Sequence, residues 1–277
     1  MKIVVLIKEV PDMGKVRFDS EKGVVDRSSA EAEINPFDLN ALQAAVDLKN
    51  QYDAEVAETA EVAETAKVTV LTMGPQRAEK SLRDAYARGA DNCILLSDKQ
   101  FGGSDTFATS RTIAACIKNI IDFDVIICGE KSVDGDTAQV GAEVAEILNI
   151  PHSYYVEKIN SLSDKEIVVT INSLCGSIQL RKMKLPALIS VTKNINRIEL
   201  PTVKRKLESL KIEVKKLGLA DLYGYISEEE TGFEGSPTKV VKIVVPKEET
   251  RESKIYKEDY SGFFSDVLYA LKDKKVL

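Results

Sequence analysis

Apolar residues fall in two alternating rhythms along the first half of the chain. Compact runs at about 2–7, 67–73, 92–96 and 123–128 have no polar alternation, the pattern of strands buried on both faces. Between them, at about 38–50, 76–88, 104–121 and 137–148, apolar positions recur at helical spacing. Strands alternating with helices of this length imply right-handed crossovers and an α/β fold, a doubly wound, mostly parallel, Rossmann-like sheet. Shorter strand-like runs follow at Tyr154–Ile159, Glu166–Ile171, Ser177–Leu180 and Ala187–Val191, and these are expected to extend the same sheet. The α/β domain is therefore drawn over residues 1–192.

After Thr192 the pattern weakens. Residues 193–216 are rich in Lys and Arg and carry Pro201, Lys239–Val245 reads as a strand, and Lys247–Glu258 reads as a charged linker. A terminal helix then places Phe263, Phe264, Val267, Leu268 and Leu271 on one face. Residues 193–277 are therefore drawn as a separate arm whose apolar helical face needs covering, either by folding back on the chain's own sheet or by docking on another subunit. A perfect tandem hexapeptide, 55–60 followed by 61–66, reads as a solvated helical extension, since Ala and Glu favour helix, or as a surface loop before the strand at 67.

Composition narrows the class. The 277 residues are 44% hydrophobic and 30% charged, as in an ordinary globular protein, and the net charge of −6 argues against a nucleic-acid partner. No apolar run approaches the ~20 residues that span a bilayer, so no membrane insertion is expected. The opening Met1–Lys8 is read as a core strand rather than a signal peptide, which places the chain in the cytoplasm. Cys93, Cys116, Cys128 and Cys175 lack metal-ligand spacing and are read as reduced thiols. With His152 as the only histidine, neither a catalytic triad nor a metal site is expected, and no side chain is assigned a catalytic role.

The chemistry concentrates in the run Val125–Gly141. A buried strand ends at Gly129, and the turn Glu130, Lys131, Ser132, Val133, Asp134, Gly135 feeds a helix. Asp136 is expected as the N-cap, with Gln139 completing a capping box. Such a turn presents free backbone N–H groups at the carboxyl edge of a sheet, where α/β proteins hold nucleotide phosphates. Gly135 allows a positive φ or a close ligand approach. Thr137 and Gln139 offer partners for phosphate or ribose, while Asp134 and Asp136 brace the loop by accepting amide hydrogen bonds or reach ribose hydroxyls. The G-x-G-x-x-G and P-loop signatures are both absent. Asn35-Pro36-Phe37-Asp38 opens one helix, and Gly103-Ser104-Asp105-Thr106 opens another. Converging helix starts favour a nucleotide of some length.

These residues also carry a family resemblance. The stretch Gly129–Gly141, the opening Val5–Pro11, the turn Asn35–Asp38 and Thr72-Met73-Gly74-Pro75 resemble the electron-transfer flavoprotein β subunit over most of residues 1–220. Leu200 and Pro201, inside a basic stretch, resemble that family's partner-recognition loop. The resemblance implies pairing with an α subunit that carries FAD, and docking to a flavin-containing dehydrogenase. It implies a nucleotide against Leu6, Asn35–Asp38, Met73, Thr106 and 129–140, Ala138 and Val140 included. In simple carriers of this family that nucleotide is AMP; in electron-bifurcating members it is a second FAD, reduced by NADH, with electrons divided between the α subunit and an acceptor such as ferredoxin. The form Asp134-Gly135-Asp136-Thr137 resembles the bifurcating type. Departures from the family pattern are Glu130-Lys131 where a Lys-Gln pair is more usual, the hexapeptide insertion, and the long tail beyond about 245.

Overall fold

The computed structural model describes residues 1–12, 14–15, 17–19, 24–26, 31–59, 65–172, 176–239 and 254–276. In chain order the strands are β1 (Lys2–Leu6), β2 (Glu9–Pro11), β3 (Arg17–Asp19), β4 (Val24–Asp26) and β5 (Ala32–Ile34), then helix α1 (Pro36–Thr59) and β6 (Lys67–Met73). Next come α2 (Glu79–Ala87), β7 (Asn92–Leu96), α3 (Thr106–Ile120), β8 (Val125–Gly129) and α4 (Val140–Leu148). The remainder is β9 (His152–Leu162), β10 (Glu166–Asn172), β11 (Ile178–Lys184), β12 (Ala187–Val191), α5 (Val203–Ser209), β13 (Lys215–Leu217) and α6 (Tyr260–Asp273).

Nine strands make one sheet in the order β11-β10-β9-β12-β8-β1-β6-β7-β13. From β9 to β13 every neighbouring pair runs parallel, and only β9–β10–β11 form an antiparallel meander. Burial explains the difference. β8 and β12 are buried at every position, whereas β10 alternates buried and half-buried residues and so keeps one face toward solvent. The helices close both faces of the parallel part. Ala41, Leu42, Ala45 and Leu48 of α1 join Leu82 and Ala85 of α2 over one face, against Ile3, Val5, Val70 and Ile127. On the other, Ile113, Ala114 and Ile117 of α3 and Val144 and Ala145 of α4 pack on Val4, Leu6, Ile126 and Leu188.

Several expectations are refined. The first helix runs past 50 to Thr59, so it takes in all but the last residue of the first hexapeptide copy; 60–64, that last residue and the first four of the second copy, lie outside the described residues, as do Cys175 and all but Lys239 of the strand expected at 239–245. The strand Ala187–Val191 is not an edge: it inserts between β8 and β9. Residues 193–216, where the periodicity is weak, contain α5, and Lys215–Leu217 pairs with β7 as the far edge strand. The chain divides into two compact units, 1–241 and 242–277. In the second unit α6 forms as expected, with Phe263, Phe264 and Leu268 exposed. Among the described residues no helix is long and apolar enough to cross a membrane.

The topology fixes where a ligand can sit. From β1 the chain steps outward to β6 and β7, then returns to the opposite side of β1 as β8. Beyond the carboxyl ends of β1 and β8 the crossovers diverge and leave a crevice, the place where open α/β sheets take ligands. Ile127 lies at the centre of that part of the sheet with no exposure. Ile127→Ala is expected to cost about 2–5 kcal/mol, read as a lower urea midpoint at unchanged denaturant dependence.

Candidate functional site

Strand β1 ends at Leu6, and in register beside it lie Leu71 of β6 and Cys128 of β8. Leu6 is buried and Met73 half-buried at the end of β6, so both belong to the apolar floor below the loops. At the same edge of the sheet the start of α1 acts as a strap. The Asp38 carboxylate accepts the Lys8 amide through Oδ2 at 2.8 Å and the Gly129 amide through Oδ1 at 3.1 Å, so one side chain ties the end of β1 to the end of β8. Its burial pushes the Asp38 pKa up to about 7, against the lowering effect of those amides. Asn35, fully buried, donates through Nδ2 to the Lys131 carbonyl at 2.8 Å and accepts the Val133 amide at 3.1 Å. Pro36 fixes φ at the first helical position, where no amide partner is needed. Phe37 lies under the Lys131 ammonium at 6.0 Å from its ring centroid.

Gly129 is required by crowding. A Cβ there would stand 2.5 Å from Asp38 Oδ1 and 2.7 Å from Phe37 backbone. Gly141 is crowded likewise, by the Tyr154 hydroxyl at 2.6 Å and Cys128 Sγ at 2.7 Å. The Cys128 thiol is pushed up to about 12 by burial and stays protonated.

The loop between β8 and α4 departs from the expected capped turn. The helix begins at Val140, and neither Asp136 nor Gln139 caps it: Asp136 takes φ 55 and pairs with Lys131 at 2.6 Å, and Gln139 makes no side-chain cap. The Ala142 amide instead donates to the Tyr154 hydroxyl at 2.8 Å. The positive φ values fall on Asp136 and Ala138, not on Gly135. These two left-handed residues carry the chain sideways, which delays the helix by three residues. Asp134 braces the loop through an ion pair, with Lys8 Nζ at 2.7 Å, and Ser132 Oγ accepts from the same ammonium at 3.3 Å. Lys8 was thus the missed residue: a lone cation directly after a buried strand was its only signal. Burial also raises the Glu130 carboxyl above its usual range. Gly135, Asp136, Thr137 and Gln139 remain exposed at the rim.

The second helix start behaves as read. Asp105 caps α3 by accepting the Ala108 amide at 3.0 Å, and Thr106 donates to Glu143 of α4 at 3.2 Å. Ser110 donates to the Val140 carbonyl at 3.3 Å and to Glu143 at 2.9 Å, so the first turns of α3 and α4 lie side by side. Leu200 and Pro201 stand apart from this crevice on the loop before α5, with Leu200 87% exposed.

Sheet order and the helices on both faces define an α/β protein of the doubly wound class. The family model described as an electron transfer flavoprotein domain matches residues 22–222. Over 278 aligned positions, covering all of both chains, the sequence is 36% identical to the electron transfer flavoprotein subunit beta of Thermoanaerobacterium thermosaccharolyticum. It is 39% identical over 242 residues to that of Clostridium acetobutylicum, covering 87% of each chain. It is 35% identical over 246 residues to the caffeyl-CoA reductase-Etf complex subunit CarD of Acetobacterium woodii, covering 89% of this chain and 88% of that one. The chain belongs to the electron transfer flavoprotein β-subunit family.

Because the folded-state pKa of Asp38 lies above its unfolded value, its contribution to stability is fully present below about pH 4 and is lost as pH rises through about 7. Asp38→Asn is expected to remove that share of the slope. Urea melts of both proteins from pH 4.5 to 7.5 check it: the wild type should lose more stability over the range.

Proposed function

We propose that this chain is the β subunit of a heterodimeric electron transfer flavoprotein that holds FAD in the β1/β8 crevice. In this reading the complex oxidises NADH and exchanges electrons with a dehydrogenase through the FAD of its α subunit, with a low-potential carrier such as ferredoxin as the second acceptor. When bound, FAD supplies hydride acceptance and one-electron release, chemistry no side chain provides. The residues of this chain bind and orient. Asn35 and Asp38 fix the loop over the floor of Leu6 and Met73, and Lys8 and Lys131 neutralise Asp134 and Asp136 so that neither repels a phosphate. The adjacent starts of α3 and α4, at Thr106 and Val140, offer helix N-termini to an anion.

The observation that carries the reading is Gly135. Its φ is not left-handed, and a Cβ there would meet Ser132 Oγ at 3.4 Å and Lys8 Nζ at 3.8 Å, ordinary contacts. Nothing in the chain's own packing demands glycine at this rim position; a ligand lying against the backbone does. The relative named as a subunit of a caffeyl-CoA reductase-Etf complex supports a reductase-linked role. Residues 193–277 form the partner-facing part in this proposal, with the exposed apolar residues of α6 docking on the α subunit and Leu200 on the dehydrogenase. Buried free thiols at Cys93, Cys116 and Cys128 suit a reducing compartment, and the cytoplasm is the proposed location.

Nucleotides released from the denatured heterodimer test the central point. Two FAD per heterodimer are expected; one FAD and one AMP would replace the working flavin with a structural nucleotide. Gly135→Val is expected to keep the melting temperature within a few degrees in the nucleotide-free chain and to lower nucleotide content at least tenfold. At the docking surface, Leu200→Ala is expected to slow electron delivery to the dehydrogenase roughly fivefold or more (about 1 kcal/mol), at unchanged flavin content, in stopped-flow assays.

A further inference from the structure

The segment 193–201, which presents Leu200, has neither helix nor strand, and among its residues only Ile195, Asn196 and Pro201 are partly buried. Ile195 packs against the core on the α1 face, but a single apolar contact does not fix nine residues of surface chain. The start of the segment is held by Thr192, which accepts the Asn194 and Ile195 amides, and by Glu157, which accepts from Asn194; the part from Asn196 to Leu200 is held by polar groups of α1 and α2. Asn40 and Gln43 are 5% and 8% exposed on a helix face otherwise built from Ala and Leu. A buried amide side chain is costly unless its hydrogen bonds are made, and both residues make theirs to this loop. Asn40 Nδ2 donates to Asn196 Oδ1 at 2.9 Å, and Asn196 Nδ2 returns a bond to the Asn40 carbonyl at 3.0 Å. Gln43 Oε1 accepts the Glu199 amide at 3.0 Å, while its Nε2 is held by Asp47 at 2.9 Å, which orients the acceptor. From α2's C-terminus, Arg88 donates to the Glu199 carbonyl at 3.2 Å. Glu199, the residue before Leu200, is therefore gripped at both its amide and its carbonyl.

We propose that Asn40, Gln43 and Arg88 are positioning residues for partner docking, holding the 193–201 loop in the one shape that presents Leu200 outward. Asn40 lies two residues after Asp38, so the first turns of α1 strap the nucleotide crevice on one side and set the docking loop on the other. This inference rests on the docking role proposed for Leu200.

The test uses the full chain and its heterodimer, with Gln43→Leu and Arg88→Met. Backbone amide exchange of 193–201 is expected to quicken at least tenfold in each variant, while exchange of β1 and β8 is unchanged. With the heterodimer, KM for the dehydrogenase is expected to rise at least fivefold, with kcat toward a small dye acceptor and flavin content unaltered. In a Leu200→Ala background, Gln43→Leu should add less than a twofold effect, because the group it presents is gone. Unchanged loop exchange in both variants overturns the inference, and so do effects that multiply fully in the double variant. Undiminished transfer in Leu200→Ala alone instead overturns the docking reading and this inference's functional half; loop exchange then decides whether Gln43 and Arg88 hold the loop.

Discussion

Asp38 accepts an amide just beyond β1 and the last amide of β8, and so ties together the ends of two paired strands where their crossovers diverge. Without that carboxylate both amides would face a buried, apolar surrounding with no acceptor. The constraint propagates outward. Gly129 must lack a side chain because Asp38 and Phe37 occupy its Cβ position, and Asn35 can reach 131 and 133 only because the helix start is pinned there. The burial that makes Asp38 effective also raises its pKa to about 7, so the strap works at a cost in stability near neutral pH.

Charge in the loop is balanced locally. Asp134 and Asp136 pair with Lys8 and Lys131, and both lysines remain substantially exposed. Such pairs contribute little to stability, roughly 0–1 kcal/mol. Their consequence is geometric and electrostatic: they fix the turn and cancel the negative charge that would otherwise stand at the mouth of the crevice. At the helix starts of α3 and α4 the carboxylates of Asp105 and Glu143 are engaged by the Ala108 amide and by the Thr106 and Ser110 hydroxyls.

Much of this was legible along the chain. Runs without polar alternation marked the buried strands, and their ends agree with β1, β6, β7 and β8 to within one or two residues. Asp105 was readable as a cap because capping is a contact over three residues. Asp136 misled for the same reason: the local pattern fits a capping box, but the lysine at 131 draws its carboxylate away and the backbone turns left-handed. Helix α5 and β13 escaped because three to seven residues rich in lysine show no periodicity.

The amino-acid sequence by itself determined the alternation of elements, the burial of the central strands and the glycine-bearing acidic loop, since each is written in spacings of two to four residues. Its resemblance to the electron transfer flavoprotein β subunit also named the family to which the chain belongs. The tertiary structure decided which loops meet. Asp38 and Gly129 are 91 positions apart, and they touch because β8 returns to the far side of β1. That return follows from strand order and crossover geometry, which no local spacing encodes. The same holds for Gln43 and Glu199, 156 positions apart, whose contact gives shape to a loop that has none of its own.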